Sequence, residues 1–146
     1  MANNVKYVDF VLDEGAHRPV KQHTGDAGWD LYTSETCTIA PGETRDVHTG
    51  VRMRMPPCLF ARITGRSSSL RKHSILVNEG IIDNGYTGEL FVCAHNLGSE
   101  PATIEKGMRI AQVLFHVIED VRWSEVEELQ PSADKRGSAG FGSTGR

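Results

Sequence analysis

Asp83 and Tyr86 bracket an Asn84-Gly85 pair, with Ile81-Ile82 before them and the alternating run Leu90-Phe91-Val92-Cys93-Ala94 behind. Asn-Gly between two apolar runs is the strongest short hairpin signal, because a type I′ turn needs positive φ at both central residues. The spacing predicts a hairpin whose mouth carries a carboxylate and a phenol. Placed there, the two can frame a small ligand. The same pair also reads as a turn-capping Asp beside a cross-strand Tyr, which needs no ligand. Both readings stand on the motif alone.

A second segment, Gly65-Arg66-Ser67-Ser68-Ser69, follows the apolar run Leu59–Ile63. Small hydroxylic residues after a glycine, at a strand-to-turn junction, turn backbone N–H groups and hydroxyls toward an anion. Arg66 adds a planar cation suited to phosphate oxygens. A plain structural Ser-rich turn has the same composition. In Gly107-Met108-Arg109-Ile110-Ala111-Gln112, Gln112 interrupts an apolar run, and period two alone makes it an outward-facing strand position. Gly25-Asp26-Ala27-Gly28-Trp29-Asp30-Leu31 sets two carboxylates in a Gly-containing turn, an Asx-type turn when taken by itself.

These segments are carried by short strands. Tyr7–Leu12, Thr36–Ile39, Thr44–Val47, Val51–Met55, Leu59–Ile63, Ser74–Val77, Glu89–Ala94, Pro101–Ile104 and Arg109–Val117 read as strands, separated by turn chemistry such as Pro41-Gly42, Pro56-Pro57 and Lys106-Gly107. Many short strands without a long 3.6-residue period imply an all-β sandwich or jelly roll. Only Ser68–His73 and Ser124–Leu129 could form brief helical turns.

The 146 residues make one domain, large enough to bury a core. A net charge of −3 gives no basic face for general nucleic-acid binding. Three cysteines (Cys37, Cys58 and Cys93) cannot complete a disulfide framework, and the six histidines show no metal-ligand spacing. Membrane-length apolar runs and a signal-peptide pattern are both lacking, so a soluble, cytoplasmic protein is expected. From Pro131 the composition shifts to Gly, Ser and charge, with Phe141 the lone large apolar residue. This divides the chain into a β-domain over residues 1–130 and an arm over residues 131–146. The arm reads either as a frayed end or as a mobile segment that orders over a ligand, with Phe141 stacking and Arg136, Ser143 and Thr144 on phosphate oxygens.

Taken in order, Ala27-Gly28-Trp29-Asp30-Leu31, Gly65-Arg66-Ser67-Ser68, Gly80-Ile81-Ile82-Asp83-Asn84-Gly85-Tyr86-Thr87-Gly88, Gly107 to Gln112, and Arg136 to Gly145 resemble the five motifs of the homotrimeric deoxyuridine triphosphatases. The resemblance spans nearly the whole chain, and its third and fifth motifs are highly specific. It implies a jelly-roll-like β-clip subunit in a homotrimer with active sites between subunits. The reaction would be Mg²⁺-dependent hydrolysis of dUTP to dUMP and pyrophosphate, which keeps uracil out of DNA and supplies dUMP for dTMP synthesis.

Carried over by position, Asp83 activates the attacking water and contacts the 3′-hydroxyl, and Tyr86 packs under the sugar and leaves no room for a 2′-hydroxyl. The stretch Asn78, Gly80, Ile81 and Ile82, together with Phe91, would surround the uracil and read its edge through the backbone. Arg66, Ser67, Ser68 and Gln112 would hold phosphates, and Asp30 would support Mg²⁺ through water. Arg136, Phe141, Gly142, Ser143 and Thr144 would close over the nucleotide from another subunit. Cys58, Asn78-Glu79 and Ser69 depart from the family's usual residues.

Two other functions fit parts of the pattern. The related dCTP deaminases resemble the chain around Arg66-Ser67-Ser68 and Asp83-Asn84-Gly85, but carry a catalytic glutamate near the position of Cys93, where a thiol cannot shuttle protons to a ring amine. The other is a dUTP-gated interaction protein whose trimer binds a regulatory partner.

Overall fold

Strand β5 (Leu59–Gly65) buries Leu59, Ala61 and Ile63 and leaves Phe60, Arg62 and Thr64 half-buried between them. That is the period of a strand with one face in a core. The computed structural model describes residues 5–130, and the same alternation recurs in β8 (Glu89–Asn96), where Leu90, Val92 and Ala94 are buried and Phe91 is exposed. The remaining strands are β1 (Asp9–Leu12), β2 (Trp29–Tyr32), β3 (Cys37–Ile39), β4 (Thr44–Arg54), β6 (Ile75–Val77), β7 (Gly80–Ile82), β9 (Ala102–Ile104) and β10 (Arg109–Val117). One short helix, α1 (Ser67–His73), follows β5. Two four-stranded sheets, β1-β4-β8-β6 and β2-β10-β5-β7, and a β3-β9 pair form an all-β, jelly-roll-like sandwich. Every strand pairing is antiparallel.

Leu31, Ile39, Val47, Leu90, Val92 and Ile104 are at most 1% exposed and fill the space between the layers. Each such side chain contributes about 1.5–3 kcal/mol. The exposed ion pair Arg54–Asp9 (2.7 Å) belongs to a class worth about 0–1 kcal/mol. Apolar burial therefore holds the sandwich together, and the surface ion pairs add little.

Several sequence expectations need correction. The Asn84-Gly85 hairpin does not form: β7 pairs with β5, Ala61 opposite Ile82 and Ile63 opposite Gly80, whereas β8 lies in the other sheet. Neither Asn84 nor Gly85 has positive φ. Instead the Tyr86 N–H donates to the Asp83 carbonyl (3.0 Å), and the Asn84 amide donates to the Pro57 carbonyl (3.0 Å). The reason is tertiary: alongside β5, the three residues of β7 can pack Ile82 against the core, and closing on β8 would forfeit that.

Thr44–Val47 and Val51–Met55 are one strand, β4, interrupted only by a register shift between His48 and Arg52. Strand β2 is not among the strands read from the sequence, and Ile81-Ile82, read as the first arm of the hairpin, belongs to β7 on β5. The helical turn at Ser68–His73 is present as α1, and that at Ser124–Leu129 is absent.

Candidate active site

Three of the five sequence segments converge in space. Strand β10 lies between β2 and β5, so Gln112 stands level with Asp30 on one side and Thr64 on the other. Arg66 leaves the end of β5 beside them and turns its Nε onto Asp30 Oδ1 at 2.8 Å. Arg109 Nη1 reaches Asp30 Oδ2 at 3.3 Å, and the Gln22 amide donates to the same oxygen at 3.2 Å. Asp30 is buried, and a buried carboxylate is tolerable only when paired and hydrogen-bonded. Its role in the fold is thus to orient two guanidiniums. That function was not foreseen, and neither was the part played by Arg109 and Gln22, because they pair across the sheet rather than along the chain.

Arg66 is also the residue that caps α1, in extended conformation (φ −84, ψ 153), and its side chain makes no capping bond. The first N–H groups of the helix, over Ser67 and Ser68, have no acceptor within the helix, and Arg66 Nη1 reaches Ser68 Oγ at 3.5 Å. Ser69 Oγ donates to the Ile110 carbonyl (2.8 Å) and ties this helix start to β10. A cleft of about 330 Å³ opens alongside, lined in part by Thr64, Arg66, Ser67 and Arg71.

Gln112 is half-buried rather than simply outward-facing, and its amide donates to the Gly65 carbonyl at 3.2 Å. Gly28 lies against it so closely that a β-carbon there would collide with the Gln112 carboxamide. Gly28→Ala is accordingly expected to push Gln112 out of place. If Gln112 holds a phosphate, the lost charge-assisted bond of about 1.5–3 kcal/mol lowers kcat/KM about ten- to a hundredfold. Steady-state kinetics on a variant with unaltered thermal unfolding checks this, and unchanged kcat/KM would remove Gln112 from the site.

The second cluster surrounds the turn after β7. Asp83 and Tyr86 are both exposed. The tyrosine ring folds back over Gly88, where a β-carbon would overlap it, and its hydroxyl donates to the Glu89 carbonyl at 2.8 Å. Tyr86 is therefore held by the start of β8 and is not a cross-strand residue. Asn78 N–H still bonds the Cys93 carbonyl (2.9 Å), after which the chain leaves β8 for β5. Gly80, Ile81 and Ile82 pair with β5 and Phe91 pairs with His48 of β4, and among the described residues no strand pairing joins the two groups. Ile81 is 59% exposed. Phe91 meets the His48 ring edge-on at 4.9 Å.

Within one chain the two clusters are far apart. Asp83 lies one residue beyond the Ile82–Ala61 pair, level with Phe60, and Arg66 lies six residues further along β5. At about 3.3 Å per residue the separation is about 20 Å. Arg136, Phe141, Gly142, Ser143 and Thr144 lie outside the described residues.

Cys93, on β8 opposite Asp46, has its thiol pushed up by burial and then by the Asp46 charge, and so remains a neutral thiol. Among the described residues no group of three or more His, Cys, Asp or Glu side chains could hold a metal ion. None of their helices is long and apolar enough to cross a membrane.

The family model for dUTPase matches residues 14–145. The deoxyuridine 5′-triphosphate nucleotidohydrolase of Clostridioides difficile is 43% identical over 136 residues, 92% of this chain and 94% of that protein. Among solved structures, the dUTPase of Staphylococcus bacteriophage 80alpha with dUPNHPP superimposes with TM-score 0.87 at 29% identity, covering 98% of this chain and 99% of that one. The fold is shared too with a mutant dUTPase from phage phi11 of S. aureus, described with a structural Mg(II) ion, at TM-score 0.80 and 24% identity over 85% of this chain and 99% of that one.

Proposed function

The chain belongs to the dUTPase family, and we propose that it hydrolyses dUTP to dUMP and pyrophosphate at a site built from more than one copy of itself. The observation that carries this reading is the Arg66 clamp on Asp30 at the end of β5, the strand whose Ala61 to Ile63 pair with β7, which leads into the turn bearing Asp83. Arg66, the N–H groups and hydroxyls of Ser67 and Ser68, and Gln112 bind the triphosphate. Asp83 accepts the proton of the attacking water, and Tyr86 floors the deoxyribose. The uracil lies against Asn78 to Ile82 and Phe91, where backbone groups read its edge.

A nucleophilic water must stand within about 3–3.5 Å of the phosphorus it attacks. About 20 Å along one strand is incompatible with that, so Asp83 of one copy serves the phosphate cluster of another. A homotrimer satisfies this with three equivalent sites. Residues 131–146 then act as an arm from another copy, with Phe141 over the base and Arg136, Gly142, Ser143 and Thr144 at the phosphates.

The residues present fit a Mg²⁺ ion that arrives with its substrate. Mg²⁺ is commonly held by one or two carboxylates plus substrate phosphates, not by an all-protein cage. Asp30 supplies such a carboxylate: three donors engage its oxygens, which have about four acceptor sites. The ion would neutralise phosphate charge that otherwise repels the nucleophile. Asp30 would meet its water shell while continuing to orient Arg66.

The test is turnover of dUTP, dCTP, dTTP and UTP with Mg²⁺, with products separated by chromatography. The expected result is dUMP and pyrophosphate from dUTP, no deamination of dCTP, and little UTP hydrolysis. Release of deoxyuridine nucleotides from dCTP would favour the deaminase reading, which lacks an acid at Cys93.

A further inference from the structure

The buried carboxylates among the described residues are Asp30 and Glu89. Asp30 is neutralised by two arginines and belongs to the phosphate cluster. Among the described residues no arginine or lysine is hydrogen-bonded to Glu89. Its Oε1 accepts the N–H of Thr49 (3.2 Å) and of Gly50 (2.8 Å), and Oε2 stands 3.1 Å from His48 Nδ1. All three donors sit where β4 loses register between His48 and Arg52. A bulge of this kind leaves backbone N–H groups without ladder partners, and Glu89 satisfies two of them from the neighbouring strand.

The main chain of the same residue faces the other way. Its carbonyl receives the Tyr86 hydroxyl at 2.8 Å, and this is the hydrogen bond that fixes the phenol over Gly88. One residue therefore joins the β4 bulge to the ring on which the sugar is to rest. The His48 imidazole, which faces the Glu89 carboxylate, also packs edge-on against Phe91, one of the residues proposed to surround the base.

We propose that Glu89 is the positioning residue for Tyr86, so that discrimination between deoxyribose and ribose is set in part by the β4 bulge. The inference rests on the dUTP reading above. Glu89 touches neither substrate nor reacting atoms. It acts by holding the first residue of β8, and hence the acceptor of the Tyr86 hydroxyl, at a fixed height.

The experiment compares kcat/KM for dUTP and UTP in wild type, Glu89→Ala, Glu89→Gln, Tyr86→Phe and the Glu89→Ala/Tyr86→Phe double variant. Glu89→Ala frees the bulge and should raise the UTP:dUTP ratio of kcat/KM about three- to tenfold, the scale of one lost hydrogen bond. In Glu89→Gln one amide oxygen can still accept both the Thr49 and Gly50 N–H groups, while its NH₂ can donate to neutral His48. The ratio should return most of the way to wild type. Tyr86→Phe removes the hydroxyl alone and should relax the ratio as Glu89→Ala does, and the double variant should add nothing further.

An unchanged ratio in folded Glu89→Ala overturns the proposal. If Glu89→Ala fails to fold, Glu89→Asp, which draws the carboxylate back from the Thr49 and Gly50 N–H groups, takes its place: a relaxed ratio sustains the proposal, and an unchanged ratio in it or in Tyr86→Phe overturns it. Wild-type protein inactive on dUTP would instead overturn the functional reading itself.

Discussion

Asp83→Asn is expected to cut dUTP hydrolysis by about 10²–10⁴-fold, the usual effect of removing a general base. The amide keeps the shape of the carboxylate and its reach to a sugar hydroxyl but cannot take a proton from water. Substrate affinity should therefore stay within about tenfold, or about 1.4 kcal/mol. The residue is exposed at the surface of a turn closed by the Tyr86 N–H and anchored by Asn84 on Pro57, so the substitution removes no core contact. Single-turnover hydrolysis beside a dUTP titration separates the two quantities. Near-normal turnover in the purified variant would leave Asp83 as a turn residue only, and the base would have to be sought elsewhere.

Removal of residues 131–146 should leave the folded assembly intact and reduce turnover severely, on the order of a hundredfold. That is the scale lost when reacting groups are no longer held in register or water is no longer excluded. Among the described residues the buried core runs from Leu31 to Val113, so the truncation takes nothing from it. The lost residues include Phe141, the only large apolar side chain after Pro131, and Arg136, Ser143 and Thr144. Thermal unfolding, mass in solution and kcat/KM for dUTP are to be measured on the same preparation. A lost unfolding transition or a dissociated assembly would make the segment structural instead.

What could be read locally was read locally. The alternation of Leu59, Ala61 and Ile63 and of Leu90, Val92 and Ala94 marks strands because side-chain direction has a fixed period of two, whatever the partner. The Gly65 to Ser69 segment reads as a strand end followed by a turn, and β5 does end at Gly65, with α1 beginning at Ser67. The types and order of the five motifs were enough for the family.

Partner choice was not local, and there the sequence misled. Asn84-Gly85 carried the residues of a tight hairpin, yet β7 went to β5 and the turn spans two sheets. A two-residue preference is small beside the packing of Ile82 against the core. Only the tertiary structure showed Asp30 spending its charge on Arg66 and Arg109, 36 and 79 residues away in sequence, because β2, β10 and β5 lie side by side. It alone placed Glu89 between a bulge and a phenol. And it alone separated Asp83 from Arg66 by the length of a strand, since antiparallel pairing carries the end of β7 back along β5, away from the Gly65 end. The sequence by itself determined which chemical groups this protein possesses and in what order. Which groups meet within the chain, and which lie the length of a strand apart, was decided by strand pairing, a property of distant residues that no local pattern encodes.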